Sequence, residues 1–193
     1  VVLKARGLVF VNPTARISVP TPNKPAPEPI DLTALRGLLN SENPTTAAIA
    51  ALLAFHAIRI WQLRGLHVSD VRDGRLHISD RIIPLAPPVR VRMTAYLNYR
   101  FQRWPNTANP HLFIHYRNAN TTSAVAPWWI GKLLGMSPQS IRQDRILDEA
   151  HATGGDIKLL CELFGVSVAA AYRYPTTVDH PGITAYAEST AHS

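Results

Sequence analysis

One cysteine, Cys161, stands in 193 residues, so no disulfide can form within the chain and a reducing, cytoplasmic setting is the expectation. It lies in an apolar run, Leu159-Leu160-Cys161, which reads as core rather than as a nucleophile. Lysine is nearly as scarce. Lys4, Lys24, Lys132 and Lys158 are set against sixteen arginines, and no lysine falls between Lys24 and Lys132. There is no Gly-rich phosphate loop. The longest strongly apolar stretch, Ala47 to Ile60, is broken by His56 and Arg59 and is too short to span a bilayer, so no membrane partner is expected. No signal peptide is visible. His111-x-x-x-His115 has helical metal spacing but brackets the apolar run Leu112-Phe113-Ile114, with no third ligand in view, so no metal is expected. Acidic residues are few: 13 against 20 Lys and Arg give a formal charge of +7 and a pI near 10.0. That balance favours a polyanionic partner, because arginine forks can grip phosphates and release counterions.

The pattern along the chain predicts a mainly α fold with a small three-stranded antiparallel sheet. Residues 1–29 read as an arm and a linker, since Pro20 to Pro29 holds five prolines. Residues 30–175 read as the folded body, and 176–193 as a loose polar tail. Asp31 or Thr33 is placed to cap a short helix through Leu39. From Thr45 or Thr46, the residues Ile49, Leu52, Leu53, His56, Ile60 and Leu63 share one helical face, which predicts a single long helix. Leu66-His67-Val68, Arg75 to Ile78 and Arg81 to Leu85 are predicted as strands, with Asp73-Gly74 as a hairpin turn. Val89 to Trp104 reads as a helix burying Val89, Met93, Tyr96, Leu97 and Phe101. Residues 106–126 read as a loop around Leu112-Phe113, and Trp128-Trp129 as half core and half surface. Helices follow from Trp128 to Leu134, from Ser137-Pro138 to about Ala152, from Asp156 to Phe164, and from Val168 to Tyr174. Helices, then hairpins, then helices argue against a βαβ architecture.

Several short segments, in order, resemble the tyrosine recombinase (phage integrase) family. Ala57-Ile58-Arg59-Ile60-Trp61-Gln62-Leu63 is similar to the family's Gly-Leu-Arg-Ile/Val-Ser-Glu-Leu motif, and Leu66 to Val71 to its Leu-x-Trp-x-Asp-Ile strand. Arg81-Ile82-Ile83-Pro84-Leu85 resembles Arg-x-Val-Pro-Leu. Ser137-Pro138-Gln139-Ser140-Ile141-Arg142-Gln143 resembles Thr-Pro-His-x-Leu-Arg-His. Gly155-Asp156-Ile157 and Leu163-Phe164-Gly165-Val166-Ser167 are similar to Gly-Ala-Asp-Ile and Leu-Leu-Gly-His-Ser, and Tyr174 follows at nearly the family distance.

The resemblance implies a DNA breaking-rejoining fold that cuts and rejoins double-stranded DNA through a 3′-phosphotyrosine, for site-specific recombination or integration. It implies a multimer on paired DNA sites, no metal, no nucleotide cofactor and no small-molecule substrate. It makes residues 1–29 a linker behind an N-terminal DNA-clamping domain. Arg59 is the first candidate phosphate clamp; its bland alternative is an arginine reaching out from a helix edge or bridging Asp70. The second clamp is Arg142 by one alignment and Arg145 by another, since Arg142-Gln143-Asp144-Arg145 also fits His-x-x-Arg. Tyr174 is the candidate nucleophile and Tyr172 its reserve. Permanently charged arginines suit a transition state that gathers negative charge on phosphate oxygens.

The proton-transfer groups depart from the family pattern. The hairpin lysine has no counterpart, the late His or Trp is Val166, and the first His of the His-x-x-Arg region is Gln139 or Arg142. His67 and His77 are the candidate substitutes; Arg81 holds its proton too tightly to act as an acid. A second reading follows: a degenerate domain that binds DNA through Asp156 to Tyr174, a helix, Gly turn and helix resembling a helix-turn-helix.

Overall fold

The computed structural model describes residues 30–79 and 81–174. The expected arm and linker at 1–29 and the tail at 176–193 lie outside the described residues.

Helix α1, Leu32–Leu39, starts at Asp31, whose Oδ1 accepts the Thr33 N–H at 2.8 Å. Helix α2, Pro44–His56, starts a residue earlier than expected, because Asn43 accepts the Thr45 N–H and Pro44 brings its fixed φ to the first turn. Every residue of α2 from Thr45 to Leu53 is buried, so it is the central rod of the molecule rather than an amphipathic surface helix. It packs against α1, the long helix α4 (Pro87–Arg103) and helix α6 (Pro138–Ala152).

The single long helix predicted through Leu63 is two helices. Ala57 takes a left-handed backbone, φ 48° and ψ 39°, and α3 restarts at Ile60–Gly65. An alanine in that conformation costs about 1–2 kcal/mol. Two observed contacts offset it: the Ala57 methyl is buried in a small apolar cluster, and its carbonyl accepts from Arg142 Nε at 2.8 Å. Periodicity does not reveal the break because Ile60 and Leu63 continue the apolar spacing across it.

The sheet is β1 (Val71–Arg72), β2 (Arg75–Ile78) and β3 (Arg81–Pro84), antiparallel in that order. Asp73 and Gly74 both have positive φ, as a tight hairpin turn requires. The first strand lies later than predicted. Leu66 and Val68 instead bond to the loop at 110–112, Val68 N–H to Pro110 O at 3.0 Å and Leu112 N–H to Leu66 O at 2.7 Å, and Val68–Asp70 is a 3-10 turn. On α4, Val89, Met93 and Tyr96 are buried as expected, but the stripe continues to Arg100, and Phe101 is exposed. The Arg100 guanidinium is tolerated inside because it donates to the carbonyls of Asn109, His111 and Leu112 at 2.8–3.2 Å.

The last third is α5 (Pro127–Leu134), α6, α7 (Ile157–Phe164) and α8 (Val168–Ala171). Ser137, Asp156 and Ser167 cap the last three of these with their side chains. The final helix ends three residues sooner than predicted, and Tyr172 to Tyr174 form a turn. Two apolar cores result. The larger joins α2, α4, α5 and the sheet. The smaller gathers Ala57, Ile146, Leu147, Ala150, Leu160, Phe164, Val166, Ala171 and Tyr174.

Truncating the central rod, Leu52→Ala, is expected to cost about 2–5 kcal/mol, read as a lower urea midpoint with unchanged slope. Burial, then Arg145, holds His56 below its ordinary value of 6.5, and its Nε2 accepts the Ala86 N–H at 3.3 Å. Burial lowers His111 and His115 as well. As pH falls below 6.5 the unfolded chain binds protons that these folded histidines refuse, so stability should drop with acid from that point. His56→Gln, which keeps an acceptor without the titration, should lessen the slope of urea-derived stability against pH.

Candidate active site

The break at Ala57 releases Arg59 from a helix interior. Arg59 becomes the N-cap of α3 with an extended backbone, its N–H donating to Gln62 Oε1 at 3.2 Å. Its guanidinium NH2 then donates to the carbonyl of Gly165. Arg142, on the second turn of α6, is buried. It donates through Nε to Ala57 O at 2.8 Å and through NH2 to Phe164 O at 3.4 Å. Arg81, first residue of β3, reaches the same place and donates to Leu163 O at 3.2 Å. Three guanidiniums from three parts of the chain thus meet the three consecutive carbonyls that end α7.

Helix geometry explains why they can meet there. The last carbonyls of a helix lack intrahelical partners and carry roughly half a negative charge. Gly165 closes α7 at φ 60°, and a Cβ on it would lie 3.0 Å from Arg81 NH1. The left-handed turn therefore favours glycine, and the missing Cβ leaves room for the end of the Arg81 side chain. Among the described residues, the ion pairs are Arg145–Asp148, Arg145–Glu149 and Lys158–Glu162, and none of them includes Arg59, Arg81 or Arg142.

Tyr174 borders this cluster. It is only 3% exposed, packed in the smaller core. Burial raises its phenol above the ordinary value, and Arg142 and then Arg173 pull it back down. Burial lowers the Arg142 guanidinium; Tyr174 opposes that shift, while Arg59 and Arg81 add to it. Arg142 and Tyr174 thus act on each other, and Arg59 and Arg81 both act on Arg142. Tyr172 is 61% exposed.

Arg145 lies elsewhere. It pairs with Glu149 at 2.6 Å and Asp148 at 3.4 Å, and its guanidinium sits over the Phe164 ring at 5.4 Å. Of the two alignments, the structure brings Arg142 to the carbonyls that Arg59 and Arg81 meet, and engages Arg145 with Asp148 and Glu149. The two histidines considered as acids have other partners: His77 with Arg72 at 3.1 Å, and His67 in an edge contact with His111 at 5.1 Å. His111 also meets Asn109 Oδ1 at 2.9 Å, and His115 stacks on Trp129 at 5.0 Å. Beside Trp129, the exposed Trp128 and Tyr116 line a groove with Arg117 and Lys132. Arg81 joins the cluster from the first position of β3, a placement that the sequence pattern does not signal.

The fold aligns with the crystal structure of XerA recombinase at a TM-score of 0.66 and 22% identity, over 87% of this chain and 66% of that one. This is a tyrosine recombinase catalytic-domain fold. The XerH site-specific recombinase bound to its difH substrate in a pre-cleavage complex aligns at 0.57 and 15% identity, over 77% of this chain and 50% of that one. The XerH post-cleavage complex on a palindromic difH substrate aligns at 0.59 and 15% identity, over 88% and 54%. The chain therefore spans about half to two thirds of these recombinases. No family model and no curated protein matches the sequence. The mainly helical body with its three-stranded sheet is the architecture predicted from the sequence.

Arg142→Ala should leave buried carbonyls of Ala57 and Phe164 without donors and cost about 1–3 kcal/mol. Arg145→Ala breaks a half-exposed ion pair and should cost within about 1 kcal/mol. Chemical denaturation of both variants checks the contrast; equal losses would contradict these placements.

Proposed function

We propose that this chain is the strand-exchange domain of a site-specific DNA recombinase, with Arg59 and Arg142 clamping the scissile phosphate and Tyr174 as the nucleophile. One observation carries the reading. Arg59 and Arg142, far apart in sequence, both donate to carbonyls at the end of α7, and Tyr174 packs in the small core with Phe164, the residue whose carbonyl Arg142 meets.

The chemistry asks for these groups. The Tyr174 phenol loses its proton to solvent as Oη attacks phosphorus, a 3′-phosphotyrosine bond forms as the bond to the 5′ oxygen breaks, and the 5′ oxygen takes a proton from solvent, so no net proton is gained or lost. Negative charge grows on the non-bridging oxygens, where two guanidiniums bind the transition state more strongly than the ground state. Tyr174 begins buried with a raised pKa, so DNA must draw the segment from Val168 to Tyr174 outward before attack. Arg142 is the neighbour that stabilises the phenolate as it forms. The partner is double-stranded DNA, bound by a multimer, and the groove of Trp128, Tyr116, Arg117 and Lys132 offers cations and flat rings to a nucleic acid. The domain extends over 30–175, behind a linker.

A second reading is favoured by the missing proton donors. With Gln139 and Val166 in place of histidines and no lysine on the hairpin, the domain would bind DNA without cutting it.

Nicked suicide substrates cut from DNA flanking the gene separate the two. The cleavage reading predicts a covalent protein–DNA band that is lost in Tyr174→Phe and kept in Tyr172→Phe. Retention of the band in Tyr174→Phe would move the nucleophile. DNA binding with no band on a substrate that contains the site would establish the binding-only reading.

A further inference from the structure

We infer that Arg81 is a third phosphate-binding residue, completing a three-guanidinium oxyanion site with Arg59 and Arg142 over the end of α7. The inference rests on the reading of Arg59 and Arg142 as a phosphate clamp and adds to it a residue from the β2–β3 hairpin.

Three features support it. First, the three arginines bond consecutive carbonyls: Arg81 to Leu163, Arg142 to Phe164 and Arg59 to Gly165. Their guanidiniums therefore converge on one helix end. Second, carbonyl dipoles satisfy donors but do not neutralise charge. Among the described residues the ion pairs involve Arg145 and Lys158 and not these three. Three like charges gathered on neutral carbonyls repel one another, a cost that a bound oxyanion relieves. Arg142 feels that cost directly, since both Arg59 and Arg81 disfavour its charged form. Third, the fold makes room for Arg81. Gly165 has no Cβ where one would stand 3.0 Å from Arg81 NH1 and 3.5 Å from its Cζ.

The exchange is simple. Arg59 and Arg81 are half-exposed, whereas Arg142 is held from beneath by Ala57 O. An arriving phosphate oxygen is a stronger acceptor than a neutral carbonyl. It draws the outer two arginines from Gly165 and Leu163 and meets the third in place. Arg81 thus supplies the charge that a hairpin lysine would supply, but not its proton.

The test uses inorganic phosphate and the full chain, so it does not depend on whether DNA is cut. Thermal melting is followed against phosphate concentration, with sodium chloride holding ionic strength constant. The melting temperature without phosphate reports any structural damage, and the phosphate-induced rise reports binding. Wild type should be stabilised. Arg81→Gln should weaken phosphate affinity by about ten- to a hundred-fold, the effect of one charge-assisted bond. Arg81→Lys should recover most of the loss, and Lys158→Gln, an equal charge change at an exposed site, should leave affinity unchanged. If Arg59→Gln weakens phosphate binding and Arg81→Gln does not, the Arg81 assignment is overturned while the two-arginine clamp stands. If phosphate fails to stabilise wild type, the oxyanion site itself is overturned, whatever the nicked DNA shows.

Discussion

The structure turns on how arginine charges are held at the C-terminus of α7. Leu163, Phe164 and Gly165 present carbonyls at the negative end of a helix, and Arg81, Arg142 and Arg59 each donate to one of them. Those contacts tie the hairpin, α6 and the α2–α3 break to a single point. They are also what keeps the smaller core closed, because Phe164, Val166 and Tyr174 pack directly behind the same turn. On the proposed reading, a DNA phosphate competes with these carbonyls for the same donors, because bonds to a phosphate are stronger than bonds to a neutral carbonyl.

The central helix sets the geometry of that competition. Because α2 is buried all round, its direction is fixed by packing on every side. Its end at Ala57 then decides where the chain exits. Had the helix continued, Arg59 would project from a regular helical turn. The left-handed residue instead reorients the backbone, and the Ala57 carbonyl becomes an anchor for Arg142. One strained residue thus positions one arginine through its own peptide and another through the chain that follows.

Much of this was legible in the sequence because local rules agree with the fold. Asp73-Gly74 specified its turn, Asp156 and Ser137 their helix caps, and the ordered motif fragments the domain type. Arg59 and Tyr174 were named from the resemblance alone, and the choice between Arg142 and Arg145 stayed open because both stand on one helix in similar surroundings. Their burial separates them, and burial depends on distant partners: the Ala57 carbonyl for Arg142, Glu149 for Arg145. The break after His56 was illegible because the apolar stripe runs straight through it. Arg100 was hidden for a related reason. Its place on the buried stripe is explained only by carbonyls of the loop at 109–112, which sequence periodicity does not see. Arg81 was visible as a residue but not as a reach, since reach depends on how the hairpin leans on α7.

The most direct test of the account is a crystal structure of the Tyr174→Phe variant on a DNA duplex carrying its site. The account predicts one backbone phosphate within hydrogen-bonding distance of the Arg59 and Arg142 guanidiniums, with the Gly165 carbonyl released by Arg59 and the ring at position 174 turned toward that phosphate. A duplex bound with Arg59 still on Gly165, Arg142 still on Phe164 and no phosphate beside either would contradict it.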